Sequence, residues 1–250
     1  MTTDYFGKTD KGNVRSKNED CFILKEIGDF SYLLAICVDG IGGHAGGDVA
    51  ANLACDCILE QLSHFINPEN SLESLHDAVV SANNHICSQH YIPILAHMGC
   101  VLTTALINLE TGKMDVCHVG DTRLYVFKNG ILTKLTSDHS LIGPKEEEGE
   151  LSELEAMRHP DRNIVTRSIG KQILDFGTNY IQTHTVHLES CQLLLCSDGL
   201  YDMIDSSQIT KILSNGLLQF RSIGLRPHLL LGQNMKVLSG KGIIQGAIGF

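Results

Sequence analysis

Short apolar segments of strand length, separated by turn residues, are the dominant pattern in this chain of 250 residues. They are rich in Val, Ile, Leu and Thr, a composition typical of β-strands. The predicted strands are residues 21–24, 32–38, 100–109, 115–120, 123–127, 131–135, 181–188 and 192–196. Asn129-Gly130 predicts a tight hairpin between two of them, because both residues accept positive φ angles.

Two longer segments, residues 46–65 and 72–90, instead repeat apolar residues with the helical period. The first apolar stripe comprises Val49, Leu53, Cys57, Ile58, Leu62 and Phe65, and the second comprises Leu72, Leu75, Val79, Ala82 and Ile86. Two shorter helices are predicted, one at Ser152–Glu155 from its capping-box spacing and one over residues 206–213. This order of strands, helix pair, strands and late helix predicts an α+β fold with mostly antiparallel sheets.

The charge is unevenly distributed. Residues 1–205 carry all 29 acidic residues against 14 basic ones, whereas residues 206–250 carry five basic residues and no acidic one. The acidic body argues against a nucleic-acid partner and suits divalent cations better. No apolar segment approaches the ~20 residues needed to span a bilayer, so no membrane partner is expected.

The nine cysteines are an odd number, and several lie inside apolar strand-like segments. Together with a polar N-terminus that lacks a signal-peptide pattern, this predicts reduced thiols and a cytoplasmic location. Cys55 and Cys57 have the spacing of a possible chelate. Residues two apart on a helix point in different directions, however, so a structural role is the preferred interpretation.

The stretch AICVDGIGGHAGGDVAAN, residues 35–52, joins an apolar strand to a helix through a glycine-rich loop. Gly40 to Ala45 matches a dinucleotide-binding fingerprint, but the acidic residue about 20 positions on, Glu60, falls inside a helix. A Walker loop would need Gly-Lys-Ser/Thr, which is absent. Asp39 could hold a divalent metal ion within the tight loop, and an ordinary Asp-Gly turn is the simpler alternative for this stretch alone.

Carboxylates recur at strand ends elsewhere in the chain. Asn18-Glu19-Asp20 precedes a strand, Asp121 lies between two strands, and Asp198 repeats the pattern of an apolar strand that ends in Asp-Gly. Clustered carboxylates repel one another unless a cation lies among them. The recurrence therefore favours a metal site over a set of unrelated turns.

Seven motifs resemble, in order, those of the metal-dependent serine/threonine protein phosphatases of type 2C in their bacterial form. They are TDKGNVRSKNED (9–20), VDGIGGHAGG (38–47), GCVLTTA (99–105), HVGDTRLYVF (118–127), LTSDHSL (135–141), HPDRNIVTRSIG (159–170) and LLLCSDGLYDMI (193–204). The resemblance runs from about Thr9 to Leu213. It implies a four-layer α-β-β-α sandwich of two mostly antiparallel sheets flanked by helices.

The resemblance also implies a chemistry: two Mn²⁺ or Mg²⁺ ions, and a water that attacks the phosphorus of a phosphoserine or phosphothreonine in a substrate protein. A serine/threonine kinase would oppose the reaction. The metal ligands that the resemblance implies are Glu19, Asp20, Asp39, the Gly40 carbonyl and Asp198, with Asp121 completing a third, weaker site.

Further roles follow from the same resemblance. Arg15 matches the arginine that grips substrate phosphate, the alternative being a surface ion pair. His44 matches a histidine that either orders the metal loop or transfers a proton. Residues 139–160 match a mobile flap beside the active site, and His139 is expected to support that loop.

The chain departs from the family after Ile204. Residues 206–250 contain no aspartate, so the family's last metal carboxylate has no counterpart. We therefore predict a catalytic domain at 1–213 and an atypical tail at 214–250. One hypothesis is that the C-terminus was replaced through a frameshift or a truncated coding region, and its apolar end GIIQGAIGF could supply a substitute strand. Two functions remain open: a phosphatase, whose activity the missing carboxylate would reduce, and a catalytically impaired binding or regulatory module.

Overall fold

The structure is a computed structural model, and it describes residues 4–13, 15–29, 31–42, 46–171, 179–214 and 245–249. Every strand pair between these residues is antiparallel. The first sheet has the order β1 (Asp4–Lys8), β10 (Gln245–Gly249), β9 (Gln192–Cys196), β6 (Arg123–Lys128) and β7 (Ile131–Lys134). The second has the order β2 (Asp20–Ile27), β3 (Tyr32–Ile41), β4 (Gly99–Asn108), β5 (Lys113–Val119) and β8 (Gln182–His187).

The helices of the described residues are α1 (Gly47–His64), α2 (Ser71–Ser88), α3 (Gly143–Glu147), α4 (Glu153–Ala156), α5 (Asp198–Tyr201) and α6 (Ser206–Ser214), with a 3₁₀ turn at Pro93–Leu95. The eight predicted strands and the predicted helices are all present, with ends shifted by a few residues. The capping box at Ser152 and Glu155 is confirmed. Asn129 and Gly130 form the predicted hairpin with φ angles of 53° and 81°.

The core consists of three apolar layers, and β3 contributes to two of them. Leu34, Ile36 and Val38 pack with α1 and α2, whereas the alternate residues Leu33, Ala35 and Cys37 pack between the two sheets. Because both faces of β3 are buried, its sequence is continuously apolar rather than alternating. A third apolar cluster packs α5 and α6 against β6 and β9 of the first sheet. The described elements thus form the predicted four-layer sandwich.

One detail of the helix prediction is wrong. In α1, Val49 is 37% exposed and Cys57 is only partly buried, and Phe65, which follows the last residue of the helix, is 68% exposed. The buried face instead comprises Ala50, Ala51, Ala54, Cys55, Ile58 and Leu62. Three alanines allow α1 to approach the sheet and α2 closely, so small residues, rather than the largest apolar ones, define the packed stripe.

The tail contributes to the sandwich. Strand β10 lies between β1 and β9 and pairs with both, with Gly246 opposite Gly7 on one side and opposite Leu195 on the other. The apolar end of the chain therefore supplies a strand, as the sequence suggested. The boundary at residue 213 stays a prediction.

The nine cysteines are all free thiols. No helix within the described ranges combines the length and apolar character that crossing a membrane requires.

Candidate active site

The register of β2 and β3 brings two predicted metal ligands together. Asp20 and Asp39 are direct partners across the antiparallel pair. They are 19 residues apart in sequence and become neighbours because the intervening hairpin returns β3 along the whole length of β2. Side chains of directly opposite residues have Cβ atoms about 5 Å apart, so both carboxylates lie at the same end of the second sheet.

The end of β3 needs a glycine at position 40. A Cβ atom there would overlap the carbonyl oxygen of Gly47 and lie 2.7 Å from that of Glu19. The Gly40 N–H donates to the Glu19 carbonyl at 3.0 Å. The first turn of α1 and the end of β3 therefore approach at backbone distance, which holds Glu19, Gly40 and the Asp20–Asp39 pair in one place.

The first sheet adds Asp198 to this end of the sandwich. Strand β9 ends at Cys196, and Ser197 donates its hydroxyl to Asp20 Oδ2 at 3.4 Å. Asp198 follows immediately at the start of α5 and is buried. The contact spans the two sheets, because Asp20 belongs to one sheet and Ser197 follows a strand of the other.

Asp121 lies on the turn between β5 and β6. Gly120 before it has a φ angle of 111°, and a Cβ atom there would overlap the side chain of Val101. His139 binds this turn twice, because its backbone N–H donates to the Gly120 carbonyl at 2.7 Å and its Nδ1 accepts the Gly120 N–H at 3.0 Å. These two bonds are to the Gly120 turn, and the expected role of His139 in supporting the flap loop stays a prediction. The other ring nitrogen, Nε2, lies 3.4 Å from Arg167 Nη1.

Arg15 lies at the rim of the site. Its Nη1 is 2.8 Å from Glu19 Oε2, and its side chain is 46% exposed. The structure thus shows the ion pair that was the alternative for Arg15, but the partner is a predicted metal ligand rather than a remote surface carboxylate. A nearby pair, Lys17 with Asp48 at 3.1 Å, links the same segment to α1.

A buried ionic network lies behind Asp121. Arg123 on β6 donates through Nε and Nη2 to Asp138 at 2.9 and 2.6 Å, and through Nη2 to Glu146 of α3 at 2.8 Å. Burial opposes ionisation of Asp138, but Arg123 and Lys134 outweigh it and lower the pKa of Asp138. Both charges of the central pair are therefore retained in the interior.

Two imidazoles beside this network remain neutral at ordinary pH. His118 and His139 have ring centroids 4.9 Å apart. Burial lowers the pKa of His118 to about 4 and that of His139 to about 3. His44, for which the sequence leaves two roles open, lies outside the described residues.

Cys37 lies on β3, two residues before Asp39, and its thiol is buried. Burial raises its pKa most, and Cys196 and the carboxylates of Asp20, Asp39 and Asp198 raise it further.

The donors are carboxylates and a backbone carbonyl, which are the hard oxygen ligands that Mn²⁺ and Mg²⁺ prefer. Their chemistry thus fits a divalent metal centre. Within the described ranges, no three Asp, Glu, His or Cys side chains are grouped so that they could hold a metal ion. The candidate carboxylates lie towards one end of the sandwich as separate donors on different elements.

The sequence interpretation missed three residues that support the site: Ser197, Tyr201 and Arg123. Arg123 and Asp138 both lie in segments quoted for their motifs, and the available signal was that each is a charged residue beside an apolar strand. Ser197 and Tyr201 also lie in a quoted motif, but no local pattern indicated their contacts, because their partners are far away in sequence.

Comparisons with known proteins agree on the family. The family model described as Protein phosphatase 2C matches residues 14–229. The serine/threonine phosphatase stp of Listeria monocytogenes is 32% identical over 213 residues, which are 83% of this chain and 82% of that protein.

Solved structures share the fold. The Mycobacterium tuberculosis serine/threonine phosphatase PstP/Ppp superposes with a TM-score of 0.78 and 26% identity, covering 100% of this chain and 99% of that one. The catalytic domain of PstP, solved in complex with two manganese ions, superposes with a TM-score of 0.76 and 24% identity, covering 99% and 97%.

Proposed function

The chain belongs to the protein phosphatase 2C family, and from that premise we propose which of its residues carry out metal-dependent hydrolysis of phosphoserine and phosphothreonine in proteins. The observation that carries the proposal is the pairing of Asp20 with Asp39 across β2 and β3, together with the contact of Ser197, the residue before Asp198, with Asp20 at 3.4 Å.

Divalent ions, Mn²⁺ or Mg²⁺, would be held by Glu19, Asp20, Asp39, the Gly40 carbonyl and Asp198, with Asp121 contributing to a weaker third position. When bound, they lower the pKa of water and neutralise phosphoryl oxygens. The catalytic domain of PstP, which shares the fold, was solved with two manganese ions, and this supports the choice of metal. The reaction consumes water: the P–O bond to the serine or threonine oxygen breaks, and inorganic phosphate leaves.

Two contacts within the chain act on the proposed ligands directly. The Gly40 N–H donates to the Glu19 carbonyl at 3.0 Å and so holds the end of β3 beside the residue that precedes β2. The Ser197 hydroxyl orients one oxygen of Asp20. Rigid donors need little rearrangement when charge develops on the phosphoryl group, and this preorganisation is the fold's main contribution to the rate.

Arg15 is the proposed phosphate-binding residue. Its guanidinium is planar, always charged and exposed at the rim, which suits bidentate recognition of a phosphate group. The ion pair with Glu19 holds the guanidinium beside the metal ligands, and an arriving phosphate would exchange places with that carboxylate.

The test is phosphate release from a phosphothreonine peptide with Mn²⁺, with EDTA, and with the variant Asp39→Asn. We expect the variant to lose more than the roughly 10–100-fold that removal of an outer-sphere partner of a metal ligand typically costs. Asp29→Asn is the matched control, because Asp29 is exposed at the opposite end of the β2–β3 hairpin and its φ angle of 52° is one that asparagine tolerates. Equal rates for Asp39→Asn and the wild-type chain would refute the assignment.

The alternative, an impaired binding or regulatory module, is not favoured. It rests on the missing aspartate in residues 206–250. Metal stoichiometry separates the two: two tightly bound Mn²⁺ ions per chain are expected of the enzyme, and one or none of the module.

The substrate is a phosphoprotein. We propose in addition that a serine/threonine kinase opposes the reaction and that the chain acts in the cytoplasm. The free state of all nine thiols supports the location.

A further inference from the structure

Tyr201 connects α5, which begins with Asp198, to the turn that carries Asp121. It is the last residue of α5, whose first residue is Asp198. Its hydroxyl donates to the backbone carbonyl of Asp121 at 2.9 Å. One rigid helical turn therefore carries Asp198 at one end and a hydrogen bond to the other carboxylate residue at its opposite end.

The tyrosine ring is itself held in place. The guanidinium carbon of Arg123 lies 3.8 Å from the centre of the Tyr201 ring, a cation–π contact. Arg123 is in turn bonded to Asp138 and Glu146 at 2.6 to 2.9 Å. The ring consequently lies between a fixed cation and the Asp121 turn.

His139 also contacts the turn that carries Asp121. His139 holds Gly120 from the other side, through the two hydrogen bonds described above. Since Gly120 has a positive φ angle, the turn depends on such external contacts for its shape.

We propose that Tyr201 is a positioning residue that sets the separation between Asp121 and Asp198, and thereby the affinity of the third and weakest divalent-ion position. The proposal rests on the proposed function for the identity of that ion. Arg123 acts through Tyr201, because its guanidinium group packs on the tyrosine ring and holds the ring in place.

Tyr201→Phe is the sharpest probe, because it retains the ring and its contact with Arg123 and removes only the hydroxyl. Tyr125→Phe is the matched control. Tyr125 is a buried tyrosine of the same apolar cluster, its hydroxyl accepts from Arg123 Nη1 at 3.2 Å, and no hydrogen bond from it to Asp121 is found in the described residues.

The first measurement is hydrogen exchange in the metal-free full chain, followed by mass spectrometry of a peptide covering residues 118–124. Tyr201→Phe should speed exchange there by about three- to tenfold, the size expected for loss of one hydrogen bond. Tyr125→Phe should change it less, because the Tyr125 hydroxyl bonds Arg123, which contacts the ring of Tyr201 rather than its hydroxyl. Equal effects of the two variants, or no effect of Tyr201→Phe, would overturn the proposal.

The second measurement is Mn²⁺ binding, followed by the electron paramagnetic resonance signal of free Mn²⁺. Tyr201→Phe should weaken the weakest binding step by about three- to tenfold and leave the tighter steps unchanged. Equal weakening of every step would show a general packing defect and contradict a positioning role. Failure of the proposed function would look different. The wild-type chain would then release no phosphate with Mn²⁺, while Tyr201→Phe would still speed hydrogen exchange at residues 118–124.

Discussion

A Cβ atom on Gly40 would overlap the carbonyl oxygen of Gly47, so the end of β3 and the start of α1 meet at backbone distance. Neither partner can yield by a side-chain movement, because the atoms that meet are both main chain. The approach places Gly40 beside Glu19 and holds Asp39 in register with Asp20. A packing relationship between two glycines therefore decides where the carboxylates lie.

Gly40→Ala should damage stability and metal binding together. Overpacking of this kind costs about 1–3 kcal/mol, and the shift it forces would separate Asp39 from Glu19. Urea unfolding in EDTA measures the first effect and Mn²⁺ titration the second. Gly130→Ala is the control for a loss of stability alone: alanine is strained there at φ 81°, but a Cβ atom meets nothing within 4 Å. Normal Mn²⁺ affinity in Gly40→Ala would contradict the role assigned to this contact.

Asp138→Asn should destabilise the chain strongly. The variant leaves Arg123 buried with Glu146 as its remaining carboxylate, and breaking a buried ion pair typically costs about 3–5 kcal/mol. Chemical denaturation gives the free energy of unfolding. Glu189→Gln breaks the exposed pair with Lys128 and should leave stability unchanged. Similar losses of unfolding free energy in both variants would show that the burial of the Arg123 network does not determine the size of the loss.

Stability should fall as the solution is acidified, because of His118. Burial lowers its pKa to about 4 from 6.5, so the unfolded chain takes up this proton well before the folded chain does. The stability contributed by the neutral ring is present above pH 6.5 and is lost towards pH 4, with about 2 kcal/mol lost between pH 7 and pH 5.

Unfolding in urea with EDTA, at pH 7 and at pH 5, tests this for the wild-type chain and for His118→Gln. The variant should be less stable at pH 7 but should lose about 2 kcal/mol less than the wild-type chain on acidification. Equal pH dependence of the two chains would rule out His118 as the responsible group.

Truncation after Ser214 should weaken the first sheet. It removes β10, the strand between β1 and β9, and leaves β9 with an unpaired edge facing β1. We expect a lower unfolding temperature and concentration-dependent aggregation, followed by calorimetry and light scattering. A truncated chain that melts like the full chain would instead support a self-contained domain at residues 1–213.

Local features of the chain were readable from the sequence. Apolar segments of strand length, the hairpin at Asn129-Gly130 and the capping box at Ser152 each depend on residues within a few positions of one another, so their patterns encode them directly. The candidate carboxylates Asp20, Asp39 and Asp198 were recognisable for the same reason, because each stands at the end of an apolar strand.

Only the tertiary structure decided which of these groups meet. Ser197 reaches Asp20 across 177 residues, and Tyr201 reaches Asp121 across 80, so no local pattern could indicate either contact. The packed face of α1 was likewise misjudged, because close approach to a sheet selects small residues such as Ala50 over larger ones such as Val49. Periodicity records which residues avoid water, whereas register and close packing depend on surfaces contributed by distant parts of the chain.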